Sequence, residues 1–377
     1  MRAVTYQGSE KIEVKQVNDP VIQEKSDMIV KITSTAICGS DLHLYQGNMP
    51  INKDYVIGHE PMGIVEEVGS GVSSVKKGDR VVIPFNIGCG TCFYCSNHME
   101  SQCDNSNPHG DQGGLFGFTE MFGGHPGGQA EYLRVPFADF TSFVVPESCE
   151  REDEDLLFMS DVLPTAYWSV ENAGVKAGDT VIVLGCGPVG LMAQKFAAMA
   201  GAERVIAVDH LDYRLNKAKK MNGVETFDFT STKDAGSYLH EFTKGGADVV
   251  IDCVGMDGKM SAMEKVGQKL NLHGGSLGPI RIASEAVRKF GTIQLTGVYG
   301  DSYNEFPLGD IFSRNITIKT GQAPVIHYMP RLFDMIQSNQ LTPSEIVSHK
   351  ISLDDAAHAY NIFNEHEDEC VKVVLKP

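Results

Sequence analysis

The chain has 377 residues, and 32 lysines and arginines against 49 aspartates and glutamates give a net charge of −17. Hydrophobic residues at 42%, charged residues at 21% and aromatics at 8% exclude a disordered or fibrous chain and supply material for large cores; at this length two domains are expected. So acidic a balance argues against nucleic acid or an anionic membrane as a general partner, because both need a basic face.

Residues 1–14 lack a basic stretch followed by an apolar core, so no signal peptide is expected. The longest apolar run, 181–193, is broken by glycines and a proline and is shorter than the roughly 18 residues of a membrane span. A cytoplasmic protein that does not enter the membrane is the expectation. To about residue 155 the chain is glycine-rich with short β-type runs at 28–37, 63–68 and 80–84, separated by turn signals, which predicts a largely antiparallel β domain. Residues 104–130 read as a long glycine-rich loop, and loops of that length in compact domains are usually functional.

Beyond residue 155 strands alternate with helices. Strands are expected at 180–184, 204–208, 226–229, 248–253, 291–298 and 316–319, with helices at 188–200 and 212–221. That alternation predicts βαβ units on a parallel sheet. The remaining residues return to a mixed pattern: a helix at 329–338, a strand at 346–351, a helix at 352–363 and a strand at 370–375.

Three groups of residues carry chemistry. Cys89, Cys92, Cys95 and Cys103 follow the pattern C-x2-C-x2-C-x7-C. Two-residue spacings let a tight loop aim thiolates at one point, and four thiolates close a tetrahedral zinc site with no position left open, so the expected role is structural. An iron–sulfur cluster is the alternative, and the polar company of the loop favours zinc. Cys38, His59 and Glu60 could supply ligands to a second, open site. On spacing alone they read equally as a small core residue and satisfied polar groups. Cys149, Cys186, Cys253 and Cys370 read as ordinary thiols. The third group is Gly185, Gly187 and Gly190 in VLGCGPVG, between a strand and a helix, with Asp209 nineteen positions after Gly190 at the end of the next strand. These glycines permit the turn, the approach of a pyrophosphate and close helix packing, while the acid accepts from the adenosine ribose and favours NAD over NADP. Arg214, nearby, could contact a phosphate and keeps NADP as the minor alternative.

Taken together, these motifs resemble the zinc-containing medium-chain alcohol dehydrogenase family along essentially the whole chain. The resemblance implies an α/β architecture: a mainly β, GroES-like catalytic domain over 1–162 and 318–377, and a Rossmann doubly wound parallel sheet domain over 163–317 that binds NAD. It implies two zinc ions per chain, a catalytic one on Cys38, His59 and Asp161 and a structural one on Cys89, Cys92, Cys95 and Cys103. It implies a proton relay through Ser40 to His43 near the surface, with Glu60 orienting His59 or visiting the metal. Thr165, Pro188, Val189, Val254, Gly297 and Val298 would join the glycines, Asp209 and Arg214 around the cofactor.

An aspartate at position 161, with the segment GGQAEYLRVPFADF at 127–140, looks like the glutathione-independent formaldehyde dehydrogenase subfamily. The sequence departs from that subfamily beyond residue 255, where its extended insertions are much reduced. The implied substrate is a small alcohol or an aldehyde such as formaldehyde, and the implied assembly is a homo-oligomer, a tetramer first and a dimer next. A polyol dehydrogenase with Glu60 as a direct ligand, and a non-catalytic relative of the same fold, are the alternatives.

Overall fold

A computed structural model describes residues 1–255, 276–300 and 306–377; most of the segment beyond residue 255 whose length departs from the formaldehyde dehydrogenase pattern lies outside them. Contacts divide the chain into two units, Met1–Pro164 with Ala323–Pro377, and Thr165–Gln322. The first unit begins with a hairpin of β1 (Arg2–Gly8) and β2 (Lys11–Gln16). Its sheet is built on β3 (Met28–Ile37), whose β-branched residues are buried on nearly every position, and on β4 (Glu60–Val68). The expected strand at 63–68 starts earlier, because the ladder with β3 continues to the pairing of Glu60 with Ala36. This register sets Cys38, one residue past the end of β3, beside His59. It also depends on a glycine, since a Cβ at Gly63 would lie 2.0 Å from the Lys31 carbonyl oxygen. β5 (Arg80–Val82), β6 (Tyr132–Val135) and β7 (Phe143–Val144) complete this part.

The 104–130 loop is irregular, as expected, apart from one short helical turn at Glu120–Phe122. It is nevertheless packed: Phe116 is fully buried, and Cβ atoms at Gly117 and Gly127 would fall 2.3 and 2.2 Å from the carbonyl oxygens of Gly58 and Ile57. Its glycines thus let the loop lie directly against the backbone that leads into His59.

The second unit carries β8 (Thr180–Leu184), β9 (Arg204–Asp209), β10 (Glu225–Asp228), β11 (Ala247–Asp252), β12 (Val287–Leu295) and β13 (Thr317–Thr320). All are paired in parallel in the order β10-β9-β8-β11-β12-β13. In order of appearance this is 3-2-1-4-5-6, the doubly wound Rossmann arrangement, whose ligand crevice lies outside the strand ends where the order reverses. β8 and β11 flank that point. The strand expected to reach residue 298 stops at Leu295 because the amides of Thr296 and Gly297 turn back to the Asp252 carbonyl at 2.9 and 3.0 Å.

In the returning segment, the helix expected from 329 begins at Val325 and contains Pro330 in its interior, where the missing N–H forgoes the bond to the carbonyl four residues back. The strand expected at 346–351 is β14 (His349–Ser352), after a helical turn at Pro343–Ile346, and the final strand is β15 (Val373–Lys376). The helix expected from 352 starts at Ala356, because the Ser352 side chain caps a separate turn, Leu353–Asp355. β15 pairs antiparallel with β3, opposing Val373 and Ile37, and closes the order β14-β15-β3-β4-β5-β7, with β6 also on β3. Among the buried clusters, one around Ile37, Tyr360 and Val373 and another around Met28, Val81 and Leu133 lie in the first unit, and one around Ile182, Val250 and Ile293 lies in the second. No helix among the described residues is long and apolar enough to cross a membrane.

Candidate metal centres and cofactor loop

In the segment 89–103, the cysteine sulfurs converge. Cys89 Sγ lies 3.9 Å from Cys95 Sγ, and Cys92 Sγ lies 3.9 Å from Cys103 Sγ. Four thiolates about 2.3 Å from a tetrahedral zinc stand about 3.8 Å apart, whereas a disulfide would need about 2.05 Å. The surrounding donors suit thiolates: the amides of Thr91 and Cys92 and the Asn105 side chain donate to Cys89 Sγ at 3.2–3.4 Å. Burial pushes the Cys89 thiol up, but these donors and the Thr91 hydroxyl outweigh it and bring it down to about 6. The donor set fits a closed, structural zinc.

A second convergence draws on three distant stretches. Cys38 caps the short helix Gly39–Tyr45, His59 precedes β4, and Asp161 follows the turn Leu157–Ser160, which the Phe85 amide ties down through the Ser160 carbonyl at 2.9 Å. Asp161 Oδ2 is 3.3 Å from both Cys38 Sγ and His59 Nε2. One ligand atom from each of Cys38, His59, Glu60 and Asp161 lies within 4.8 Å of the others. A thiol, an imidazole and two carboxyl groups are thus gathered in a buried place, and the Glu60 Oε2 atom there is buried without a hydrogen-bond partner. Burial and the Asp161 charge push the Cys38 thiol up. So concentrated a set of anionic donors calls on a cation to offset it, and its sulfur, nitrogen and oxygen types suit zinc.

The supporting residues were not visible in the sequence. Asp41 Oδ1 lies 2.9 Å from His59 Nδ1, which directs Nε2 toward the cluster. Asp41 Oδ2 accepts from the Cys38 amide and from Gln129, and Gln129 in turn accepts from the Tyr360 hydroxyl. The edges of Phe85 and Phe118 wall the imidazole at centroid distances of 6.2 and 6.4 Å. Glu60 Oε1 accepts from Lys372 Nζ, which also donates to the Ile37 carbonyl. Only the spacing of Asp41, three residues after Cys38 as in a capping box, offered a local signal. Ser40 Oγ lies 3.3 Å from His59 Nε2, beside the cluster. The expectation of His43 near the surface is corrected: on the buried side of its helix it is 2% exposed.

In the second unit, the glycine loop follows β8. Gly185 adopts φ +91°, and a Cβ on Gly190 would lie 2.0 Å from the Gly185 carbonyl oxygen, so both glycines are required by the turn itself. A Cβ on Gly187 would meet nothing within 4 Å. Gly187 caps the helix Pro188–Met199 without a side-chain hydrogen bond, with Pro188 and then Val189 beginning the first turn. Open space above an uncapped helix start is what an approaching diphosphate needs. The loop ends are stitched together: Val254 Cγ2 would lie 2.9 Å from a Gly185 Cβ, and a Cβ on Gly297 would lie 2.1 Å from the Gly255 nitrogen. Asp252, fully buried and absent from the sequence reading, accepts from the Val254 and Gly255 amides and the Tyr299 hydroxyl. Val298 is partly exposed just beyond, and Thr165 lies on the helix Val162–Ala173, its carbonyl accepting from Ser169. Asp209 ends β9, with burial pushing its carboxyl up but His210, Arg214 and backbone amides holding it at about 2.

Fold and donor sets define a zinc-binding dehydrogenase. Residues 24–146 match the alcohol dehydrogenase GroES-like domain, and residues 188–271 match the zinc-binding dehydrogenase domain. The chain is 62% identical to the zinc-type alcohol dehydrogenase-like protein AdhB of Bacillus subtilis (strain 168), over 100% of both chains. It is 35% identical to a glutathione-independent formaldehyde dehydrogenase of Pseudomonas aeruginosa, over 96% of this chain and 94% of that one. The solved structure of alcohol dehydrogenase TADH from Thermus sp. ATN1 superposes with a TM-score of 0.85 at 34% identity, over 100% of this chain and 99% of that one. The chain belongs to the zinc-containing medium-chain alcohol dehydrogenase family and is an oxidoreductase of that family.

Proposed function

We propose that the protein oxidises a small alcohol, or interconverts an aldehyde such as formaldehyde, by hydride transfer to NAD, with two zinc ions per chain. The observation that carries this reading is the meeting of Cys38, His59 and Asp161 from three distant stretches within ligand-bonding reach of one point. Those three residues would hold the catalytic zinc, and the four cysteines at 89–103 the structural one. When bound, zinc supplies a Lewis acid that makes a substrate hydroxyl more acidic, and the nicotinamide supplies the hydride acceptor.

The chain's own residues do the rest. Asp41 fixes the imidazole of His59 so that Nε2 serves as ligand. Ser40 takes the hydroxyl proton and passes it toward His43, the relay that the family resemblance implies. Glu60, anchored by Lys372, keeps a carboxylate beside the metal ligands. Gly187, Gly190 and the start of the helix Pro188–Met199 receive the diphosphate, Thr165, Val254, Gly297 and Val298 line the nicotinamide side, and Asp209 accepts from the adenosine ribose. Asp161, a harder and weaker donor than a third thiolate, would leave a bound zinc more electrophilic and more exchangeable. A polyol reading stays as second because Glu60 belongs to the same cluster of donor atoms. The assembly is proposed to be a homotetramer acting in the cytoplasm.

The test is an NAD-linked absorbance screen of primary alcohols, formaldehyde, aromatic alcohols and polyols, with zinc counted in the same preparation. Turnover of a small alcohol or aldehyde with two zinc ions per chain is expected. Turnover confined to sorbitol-like substrates would favour the polyol reading; no turnover with a single zinc would sink both.

A further inference from the structure

Two histidines outside both metal centres meet on the surface of the first unit. His98 lies in the cysteine lobe, just past the short helix Phe93–Ser96, and His327 lies on the first turn of the helix Val325–Gln337. Both are exposed, and their ring centroids stand 4.3 Å apart with the planes inclined by 35°. The segments that carry them are fixed to one another. Glu100, buried two residues after His98, accepts at Oε1 from the His327 amide at 2.7 Å. On the lobe side, the Met99 amide donates to the Tyr94 carbonyl at 2.8 Å. On the helix side, the His327 ring packs edge to face against the buried Tyr328, 4.9 Å between centroids.

The rings themselves are uncommitted: among the described residues neither takes part in a hydrogen bond or an ion pair. A neutral imidazole keeps one nitrogen lone pair, which makes it a good ligand for a first-row metal. An imidazole nitrogen about 2.1 Å from such an ion puts its ring centroid about 3.2 Å from the metal. Two rings at right angles on one ion then have centroids about 4.5 Å apart, and two at the tetrahedral angle about 5.2 Å. The spacing of His98 and His327 is close to the right-angle value, which belongs to adjacent positions of a tetragonal or octahedral ion rather than to a tetrahedral one. Being exposed, both rings can turn about χ2 to aim a nitrogen at a common point.

We propose that His98 and His327 form a further metal site, a surface pair that takes a divalent ion such as nickel and fastens the cysteine lobe to the helix Val325–Gln337. Water completes the coordination, so binding is modest. The site stands apart from the reading of the catalytic centre and does not depend on it.

The experiment is calorimetric titration of the untagged, full-length, zinc-loaded protein with nickel chloride, with zinc counted before and after. One nickel ion per chain is expected to bind with a dissociation constant on the order of 10 µM, with all zinc retained. His98→Ala and His327→Ala are each expected to weaken it by about tenfold or more, and the double variant by little more than either, because a chelating pair acts as a unit. His358→Ala, which removes an exposed histidine on another helix, should leave binding unchanged. Without nickel all variants should melt within about 2 °C of wild type; nickel should raise the midpoint of wild type and His358→Ala only. The proposal is overturned by the absence of saturable binding below about 1 mM. It is equally overturned by binding that survives either alanine variant at His98 or His327, or by nickel uptake matched by zinc loss, which would place the ion at the cysteines.

Discussion

Lys372 Nζ and Glu60 Oε1 form an ion pair in which both side chains are fully withdrawn from solvent. Burial works against the lysine's charge, but the carboxylate beside it prevails and holds its pKa above the ordinary value. The pair exists because β15 opposes Val373 to Ile37 while β4 opposes Glu60 to Ala36, so two neighbours of β3 deliver opposite charges to one end of it.

Removing one partner strands the other. Lys372→Met is expected to destabilise the first unit by about 3–5 kcal/mol, the usual consequence of an uncompensated buried charge. The double variant Glu60→Gln/Lys372→Met should recover most of that. Urea unfolding of each variant at equal zinc content reads both, and a double variant as unstable as the single one would refute the account.

Asp209 gives a pH-dependent term. Its carboxyl is held at about 2 against an ordinary value of 3.8, so the stabilisation is complete above the unfolded value and is lost as pH falls from there toward 2. The shift corresponds to ~2 kcal/mol. Asp209→Asn should therefore be less stable than wild type by that amount at about pH 7, with the gap closing below about pH 4. Unfolding curves across that range would show a constant gap if the argument were wrong.

The glycine loop separates folding from binding. Gly190→Ala forces a Cβ to 2.0 Å from the Gly185 carbonyl oxygen and is expected to cost about 1–3 kcal/mol. Gly187 has φ −72° and ψ −175°, which alanine adopts, with nothing near its Cβ. Gly187→Ala should thus keep or raise stability, by up to about 1 kcal/mol, while weakening ADP-ribose about tenfold or more by crowding the diphosphate. Thermal melts paired with calorimetry separate the two effects.

The cysteine lobe should hold its metal independently of the open site. Cys103→Ser is expected to reduce zinc from two ions per chain to one and to lower the melting midpoint by several degrees, at ~2–4 °C per kcal/mol. Asp161→Cys should keep both ions and slow the loss of one to a chelator, since a thiolate is the softer ligand. Metal analysis after timed dialysis checks both.

The parallel sheet was legible in the sequence because each of its strands is a short apolar run bounded by turn residues, with 180–184 matched to the residue. The cysteine pattern and the glycine loop were legible because their spacing is local. Asp161 was reached only through family resemblance; nothing in SDVLPTAYW marks it as a ligand. Lys372, Gln129 and Tyr360 gave no signal, because their partners lie between 88 and 335 positions away along the chain. The family resemblance put His43 near the surface, whereas the helix Gly39–Tyr45 turns it inward.

The interleaving of the two units also bears on biosynthesis. Lys372 reaches back across 335 positions to the Ile37 carbonyl, so at about 5–20 residues per second the ribosome works for roughly 17–67 s between the two. Throughout that interval the Glu60 carboxylate lacks its buried cation. The strand that follows Lys372 can thus join β3, and Lys372 pair its ammonium with Glu60, only after the whole intervening unit has emerged.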